Sequence, residues 1–247
     1  MTLYLIGIGL ADDTDITLKG LEAVKRCSRA YLERYTSILQ CDMAALEKRY
    51  GKPVIALGRK QVEQDQPFLA EAKEEDVALL IVGDVFSATT HISILQEARA
   101  QGIPVVVIGN ASVVSAVGIT GLEVYKFGKV TSIPFSNEDI SAPVDVLKMN
   151  LGNGLHTLFL LDLDPPKDTF LTIKEAISYL LKKGKSVFSE KTLCIGCARL
   201  GSQDFAVKAG TAADLLKHDF GKPPYCLIVP GKLHFVEEEA MGMWSVS

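Results

Sequence analysis

The sequence predicts an α/β protein of two domains. Three observations lead there. The first half repeats an apolar run, a glycine-bearing turn and a helical pattern. Residues 77–82 form a continuous apolar run, the texture of a strand buried on both faces of a parallel sheet. Near Pro134 the texture turns polar and acidic between prolines, and strand and helix patterns then resume. The 247 residues are 48% hydrophobic and 23% charged, enough apolar material for two small cores without staples.

Residues 3–8 are apolar, run into Gly7 and Gly9, and read as a buried strand. Thr17 then caps a helix in which Leu18, Leu21, Ala23 and Val24 share a face. Residues 29–33 and 54–57 are further strands, the second ending at Gly58. The run 77–82 ends at Gly83-Asp84. Residues 90–100 follow as a helix, with Ile92, Leu95 and Ala98 three apart and Gly102 as its stop. Residues 104–108 are a strand ending at Gly109-Asn110, and 111–117 open a short helix.

Strands alternating with helices imply parallel βαβ units. Right-handed crossovers put the turns after successive strands on one edge of the sheet. Gly7-Ile8-Gly9-Leu10, Gly83-Asp84 and Gly109-Asn110-Ala111-Ser112 are therefore expected to converge, at the edge where open α/β sheets bind ligands.

The proline-bracketed stretch 134–143 reads as a linker, giving domains 1–134 and 135–247. Beyond it come a helix at 144–151, a strand at 157–163 and an amphipathic helix at 173–181 with Glu175, Lys182 and Lys183 outward. Residues 192–198, 205–209 and 225–229 read as strands, with a helix at 212–217 between the last two. The parallel order is less evident here.

A net charge of -4 argues against a dedicated nucleic-acid binder, which needs basic surface to neutralise phosphates. The odd set of cysteines at 27, 41, 194, 197 and 226 fits a reducing, cytoplasmic setting. The first residues lack the basic start and long apolar core of a signal peptide, and no apolar run is long enough to span a bilayer. The expectation is a soluble cytoplasmic protein with neither membrane nor nucleic-acid partner.

Gly7-Ile8-Gly9 follows a strand, but the third glycine of a dinucleotide fingerprint falls at Asp12 and an acidic loop replaces the helix start. No phosphate-binding G-x-x-x-x-G-K-[ST] is present. Asp84 stands at a strand end, either as a ligand acceptor or as a turn residue. His91, in a first helical turn, reads as a surface or capping residue rather than a base. Cys194 and Cys197 lie within a strand pattern with no second pair, so they read as structural and not as a metal site. Asp12, Asp13 and Asp15 read as a solvated loop entering a helix. Asp162 and Asp164 either line a cleft or serve as turn residues.

Together these strings carry a resemblance. Residues 3–10 and 15–22, Glu33-Arg34-Tyr35-Thr36-Ser37, Ala88-Thr89-Thr90-His91, residues 116–122, Gly154-Leu155-His156-Thr157-Leu158 and the double proline Pro223-Pro224 running on to His234 resemble the diphthine synthase family. The resemblance spans nearly the whole chain. It implies the tetrapyrrole-methylase type of fold: two α/β domains with S-adenosylmethionine in the cleft between them, usually as a homodimer. It implies successive methylation of the modified histidine of translation elongation factor 2 in diphthamide biosynthesis, on an amine and in some members also on a carboxylate, releasing S-adenosylhomocysteine.

The resemblance also places cofactor contacts at Leu10, Asp84, Ser87, Ser112, Val113, Leu161, Leu200 and Tyr225, several of them through backbone, and it supplies no general base. The sequence departs from the pattern twice. Ser87 stands where relatives often carry an aliphatic residue, and Tyr225 where they often carry histidine. Precorrin and ribosomal RNA methyltransferases share the fold type and are the alternative reading.

Overall fold

A computed structural model, which describes residues 1–246, divides the chain into two compact units, Met1–Val113 and Val114–Ser247. The first unit contains β1 (Leu3–Gly7), α1 (Leu18–Arg26), β2 (Arg29–Glu33), α2 (Met43–Tyr50), β3 (Val54–Leu57), α3 (Pro67–Glu71), β4 (Val77–Ile81), α4 (Ile92–Ala100) and β5 (Val105–Ile108). Its five strands form a wholly parallel sheet in the order β3-β2-β4-β1-β5.

Side chains alternate across this sheet and feed two cores. Leu3, Leu5, Val77, Leu79 and Ile81 pack on one face with Phe68 of α3 and Ile94 of α4. Ile6, Ile8, Ala78, Leu80 and Val82 pack on the other with Val24 of α1 and Tyr50 of α2. All of β4 is buried because both its faces are covered. Thr17 caps α1 by accepting from Gly20 N at 3.0 Å. A Cβ on Gly20 would lie 3.1 Å from Ile6 Cγ2, so the missing side chain lets α1 lie close on β1.

The second unit runs through α5 (Val113–Ala116), β6 (Thr131–Ile133), α6 (Ala142–Gly152), β7 (Thr157–Leu161), β8 (Leu163–Asp164), β9 (Thr169–Phe170), α7 (Ile173–Lys183), β10 (Leu193–Ala198), β11 (Ala206–Thr211), α8 (Ala212–Leu215), β12 (Tyr225–Val229) and α9 (Phe235–Gly242). Its main sheet has the order β11-β10-β12-β7-β6, antiparallel except for the β6–β7 pair. Ile173, Ile177 and Leu180 of α7 pack over Phe159 and Leu227 of this sheet. The helix begins with a Thr172–Glu175 capping box.

The chain divides 21 residues before the sequence-based boundary at 134, and β6 explains the difference. It pairs with β7, so the segment before Pro134 belongs to the second sheet. The polar stretch 134–143 joins β6 to α6 inside the second unit, and Phe135 N donates to Asp162 Oδ2 at 3.2 Å.

Candidate functional site

The three glycine turns of the first unit meet at the carboxyl edge of its sheet. Gly9 and Gly83 form an isolated bridge, and Gly83 N donates to Gly9 O at 2.7 Å. Asn110 joins the third turn, its Nδ2 donating to Gly7 O and to Asp15 O, both at 3.0 Å. A Cβ on Gly7 would lie 2.6 Å from Gly83 O, closer than real Cβ atoms come. Gly9 and Gly83 hold φ of 84° and 81°, the left-handed region that glycine enters without cost. The result is an edge built of backbone.

Two carboxylates hold it. Asp15 Oδ2 accepts from Leu10 N at 3.0 Å and Ala11 N at 2.7 Å, so this acid orders the turn after β1 rather than sitting free in a solvated loop. Asp84 Oδ1 accepts from Phe86 N, Ser87 N and Ser87 Oγ, and Asp84 Oδ2 accepts from Asn110 N at 3.2 Å. Partial burial disfavours the Asp84 anion, but these donors outweigh it and hold the carboxyl below its ordinary range. Oδ2 carries one donor and has capacity for another. Ser87 turns its hydroxyl onto Asp84 at 2.9 Å. Ser112 is buried beyond β5, and Val113 opens α5.

In the second unit, Leu161, Tyr225 and Leu200 gather at one end of the mixed sheet. Tyr225 pairs with Ala198, two residues before Leu200. The Cys226–Leu160 pair sets Tyr225 opposite Leu161, so β7, β12 and β10 contribute one row. Leu161 and Leu200 are buried and Tyr225 half-buried, its hydroxyl donating to Gly221 O. Arg199 fixes the neighbouring loops. Its Nε donates to Asp204 Oδ2 at 3.0 Å, its Nη2 to Asp204 O at 2.7 Å, and its Nη1 to the carbonyls of Phe220 and Lys222. Sequence reasoning read Asp15 as solvated loop, gave Asn110 no side-chain role in its turn and passed over Arg199, because nothing local marks a side chain that ties segments brought together by the fold.

Asp162 is a turn residue, accepting from Leu163 N at 3.0 Å and from Phe135 N. Cys194 and Cys197 are buried inside β10, and burial raises the Cys194 thiol, as the structural reading expects.

His91 departs from its reading as a surface residue. It is only 2% exposed, and neither ring nitrogen has a hydrogen-bond partner. Tyr35 meets the ring edge-on, with centroids 6.5 Å apart. Glu33 is fully buried, accepting from Tyr35 N at 2.6 Å, Thr36 N at 2.7 Å and the Thr36 hydroxyl.

The family of tetrapyrrole (corrin/porphyrin) methylases matches residues 2–216. A diphthine synthase of Methanococcus maripaludis is 44% identical, with 97% of each chain covered. A diphthine methyl ester synthase of Dictyostelium discoideum is 40% identical, covering 97% of this chain and 96% of the relative. A crystal structure of diphthine synthase superposes with a TM-score of 0.93 at 36% identity, covering 99% of this chain and 96% of that one. The chain belongs to the tetrapyrrole methylase family and, within it, to the diphthine synthases.

Proposed function

We propose that the protein methylates the modified histidine of translation elongation factor 2 in successive steps of diphthamide biosynthesis, with S-adenosylmethionine as donor. The observation that carries this reading is identity above 40% over nearly the full length to diphthine synthases. S-adenosylmethionine supplies a methyl group already activated on a sulfonium, so the protein's task is alignment and exclusion of water.

The residues of the first unit fit such a ligand. A nucleoside sulfonium carries no phosphate, and this edge offers close backbone approach instead of a phosphate loop. A Cβ is excluded at Gly7, and Asp84 Oδ2 keeps capacity for a hydroxyl or amino donor. Leu10, Asp84, Ser87, Ser112 and Val113 would hold the cofactor at the edge of the parallel sheet; Leu161, Leu200 and Tyr225 of the mixed sheet stay candidate contacts on the family resemblance alone. The Leu10 N–H is already given to Asp15 and the Ser87 O–H to Asp84, so neither is a donor that would reach the cofactor.

The protein acts in the cytoplasm as a homodimer. Five free cysteines agree with a reducing compartment, and the apolar side chains exposed on α9 agree with a partner surface. Among the described residues no helix is long and apolar enough to cross a membrane.

Calorimetry with S-adenosylhomocysteine tests the cofactor, and mass spectrometry of elongation factor 2 peptides after reaction tests the acceptor. The family's corrin and porphyrin members supply the second reading. Parallel assays with a precorrin and with ribosomal RNA separate them, and transfer to either in preference to elongation factor 2 would replace the proposal.

A further inference from the structure

An amine that accepts a methyl group must first lose a proton, because an ammonium has no lone pair with which to attack. At the cofactor edge Asp84 is a poor base, because its donors hold the carboxyl below its ordinary range, and Asp15 is engaged by the Leu10 and Ala11 amides. Four buried side-chain atoms among the described residues lack a hydrogen-bond partner: Tyr50 Oη, Trp244 Nε1 and both ring nitrogens of His91. Of these groups only an imidazole exchanges a proton near neutral pH. Buried polar atoms are nearly always paired; the Val85 backbone can serve one of the two ring nitrogens, so the other marks a place for an absent partner.

We propose that His91 accepts the proton of the methyl-accepting amine, and that the carboxyl edge around Tyr35 and His91 is the subsite for an amine-bearing side chain. The proposal rests on the methyltransferase reading above.

His91 stands seven residues after Asp84 on the connection from β4 to α4, so one segment carries both the cofactor-edge acid and the orphan ring. Tyr35 packs edge-on at an interplanar angle of 85° and fixes the plane of the ring. The charged groups around it come from two further strand ends. Glu33 ends β2 and Glu63 follows β3; both carboxylates, and a hydrogen bond to the Val85 backbone, favour the imidazolium. Arg59 Cζ lies over the Tyr35 ring, 5.1 Å from its centroid, and Tyr35 Oη donates to Glu63 Oε1 at 3.1 Å. Glu33 is not the base, since its oxygens already accept three hydrogen bonds. Burial is the largest influence on His91 and keeps it neutral at rest, while the two carboxylates stabilise the cation once it forms.

The step balances. The ammonium passes a proton to a ring nitrogen of His91, directly or through one water. The freed lone pair forms the nitrogen–carbon bond to the methyl group as the carbon–sulfur bond breaks, and that electron pair stays on sulfur. His91 returns its proton to water, and the next round begins with the next proton of the methylated ammonium.

The test uses the full chain, with elongation factor 2 carrying the unmethylated amine as acceptor. Wild-type kcat/KM should rise with pH through one ionisation. His91→Gln should lose that inflection and fall by about 10²–10⁴ near neutral pH, the usual size of general-base catalysis. It should recover toward wild type as pH approaches the amine's own pKa, while its affinity for S-adenosylhomocysteine stays within about twofold. With four histidines in the chain, the variant also assigns the His91 ring resonance, which should shift when acceptor is added without cofactor. Glu63→Gln, at the surface, should move the inflection to lower pH, because a carboxylate that favours the cation is gone.

A His91→Gln enzyme within about threefold of wild type and with the same inflection overturns the proposal. If that variant does not fold, an unmoved inflection in Glu63→Gln overturns it instead. A wild type that neither binds S-adenosylhomocysteine nor methylates the factor overturns the methyltransferase reading, a different result from either.

Discussion

At the scale of single residues, the candidate cofactor edge depends on side chains that hold other parts of the chain. Asp84 accepts four hydrogen bonds, from Phe86 N, Ser87 N, Ser87 Oγ and Asn110 N. Asp84→Asn removes the charge that these donors share. Calorimetry should show S-adenosylhomocysteine binding weakened by about tenfold or more, the scale of a lost charge-assisted hydrogen bond. The carboxyl titrates below its ordinary range in the folded protein, so its contribution to stability is present above the unfolded pKa and fades as pH falls through the folded one. Gly7→Ala attacks the same edge sterically, since its Cβ would meet Gly83 O at 2.6 Å. Urea titration should show a loss of about 1–3 kcal/mol, the cost of overpacking a tight contact. The meeting of the three turns was legible, because it follows from the handedness of βαβ crossovers alone. The roles of Asp15 and Asn110 were not, because each acts on turns brought near only by the folded sheet.

At the scale of elements, strands that alternate with clean helical faces were legible nearly to the residue. Residues 29–33, 54–57 and 225–229 match β2, β3 and β12 at both ends. The elements that escaped are short or polar. In α2 only Leu46 and Tyr50 are buried, and β6 has three residues. The last helix, α9, also escaped, because a buried ionic cluster and not an apolar stripe secures it. Glu237, with a fully buried side chain, accepts from Glu123 N at 2.9 Å, from His234 N at 2.8 Å and from Lys126 Nζ. His156 Nδ1 accepts from Gly231 N at 3.0 Å, which leaves Nε2 to donate to Glu237 Oε1 at 2.9 Å.

Burial disfavours the Glu237 anion, but Lys126, the two amides and His156 outweigh it and bring its pKa down from 4.5 to about 2. A depressed carboxyl stabilises the fold above its unfolded value, and that stability is lost as pH falls. The thermal midpoint of the wild type should therefore drop between pH 4.5 and 2, and Glu237→Gln should flatten that part of the profile. At neutral pH the same substitution leaves Lys126 and His156 without their anion, and should cost about 3 kcal/mol in urea titration.

At the scale of the whole molecule, the α9 corner of the second unit presents an apolar surface. Phe235, Val236 and Met243 on or beside that helix are 70%, 51% and 73% exposed. Glu237 ties α9 to the turn at Val124–Lys126, where Tyr125 is 81% exposed and Val124 42%. The helix lies tight on its own unit, since a Cβ on Gly121 would meet Ala240 Cβ at 2.3 Å. These apolar groups therefore face outward because the inner face is already filled. Large apolar side chains clustered on one exposed corner mark an interaction surface rather than chance exposure. With a net charge of only -4, self-repulsion does little to keep two copies apart. Light scattering should give a mass near twice that of the chain. Phe235→Glu and Tyr125→Glu, each adding a charge to the apolar corner, should shift the protein to monomer while leaving the thermal midpoint of the fold close to wild type. A dimer that survives both substitutions would place its interface on another surface.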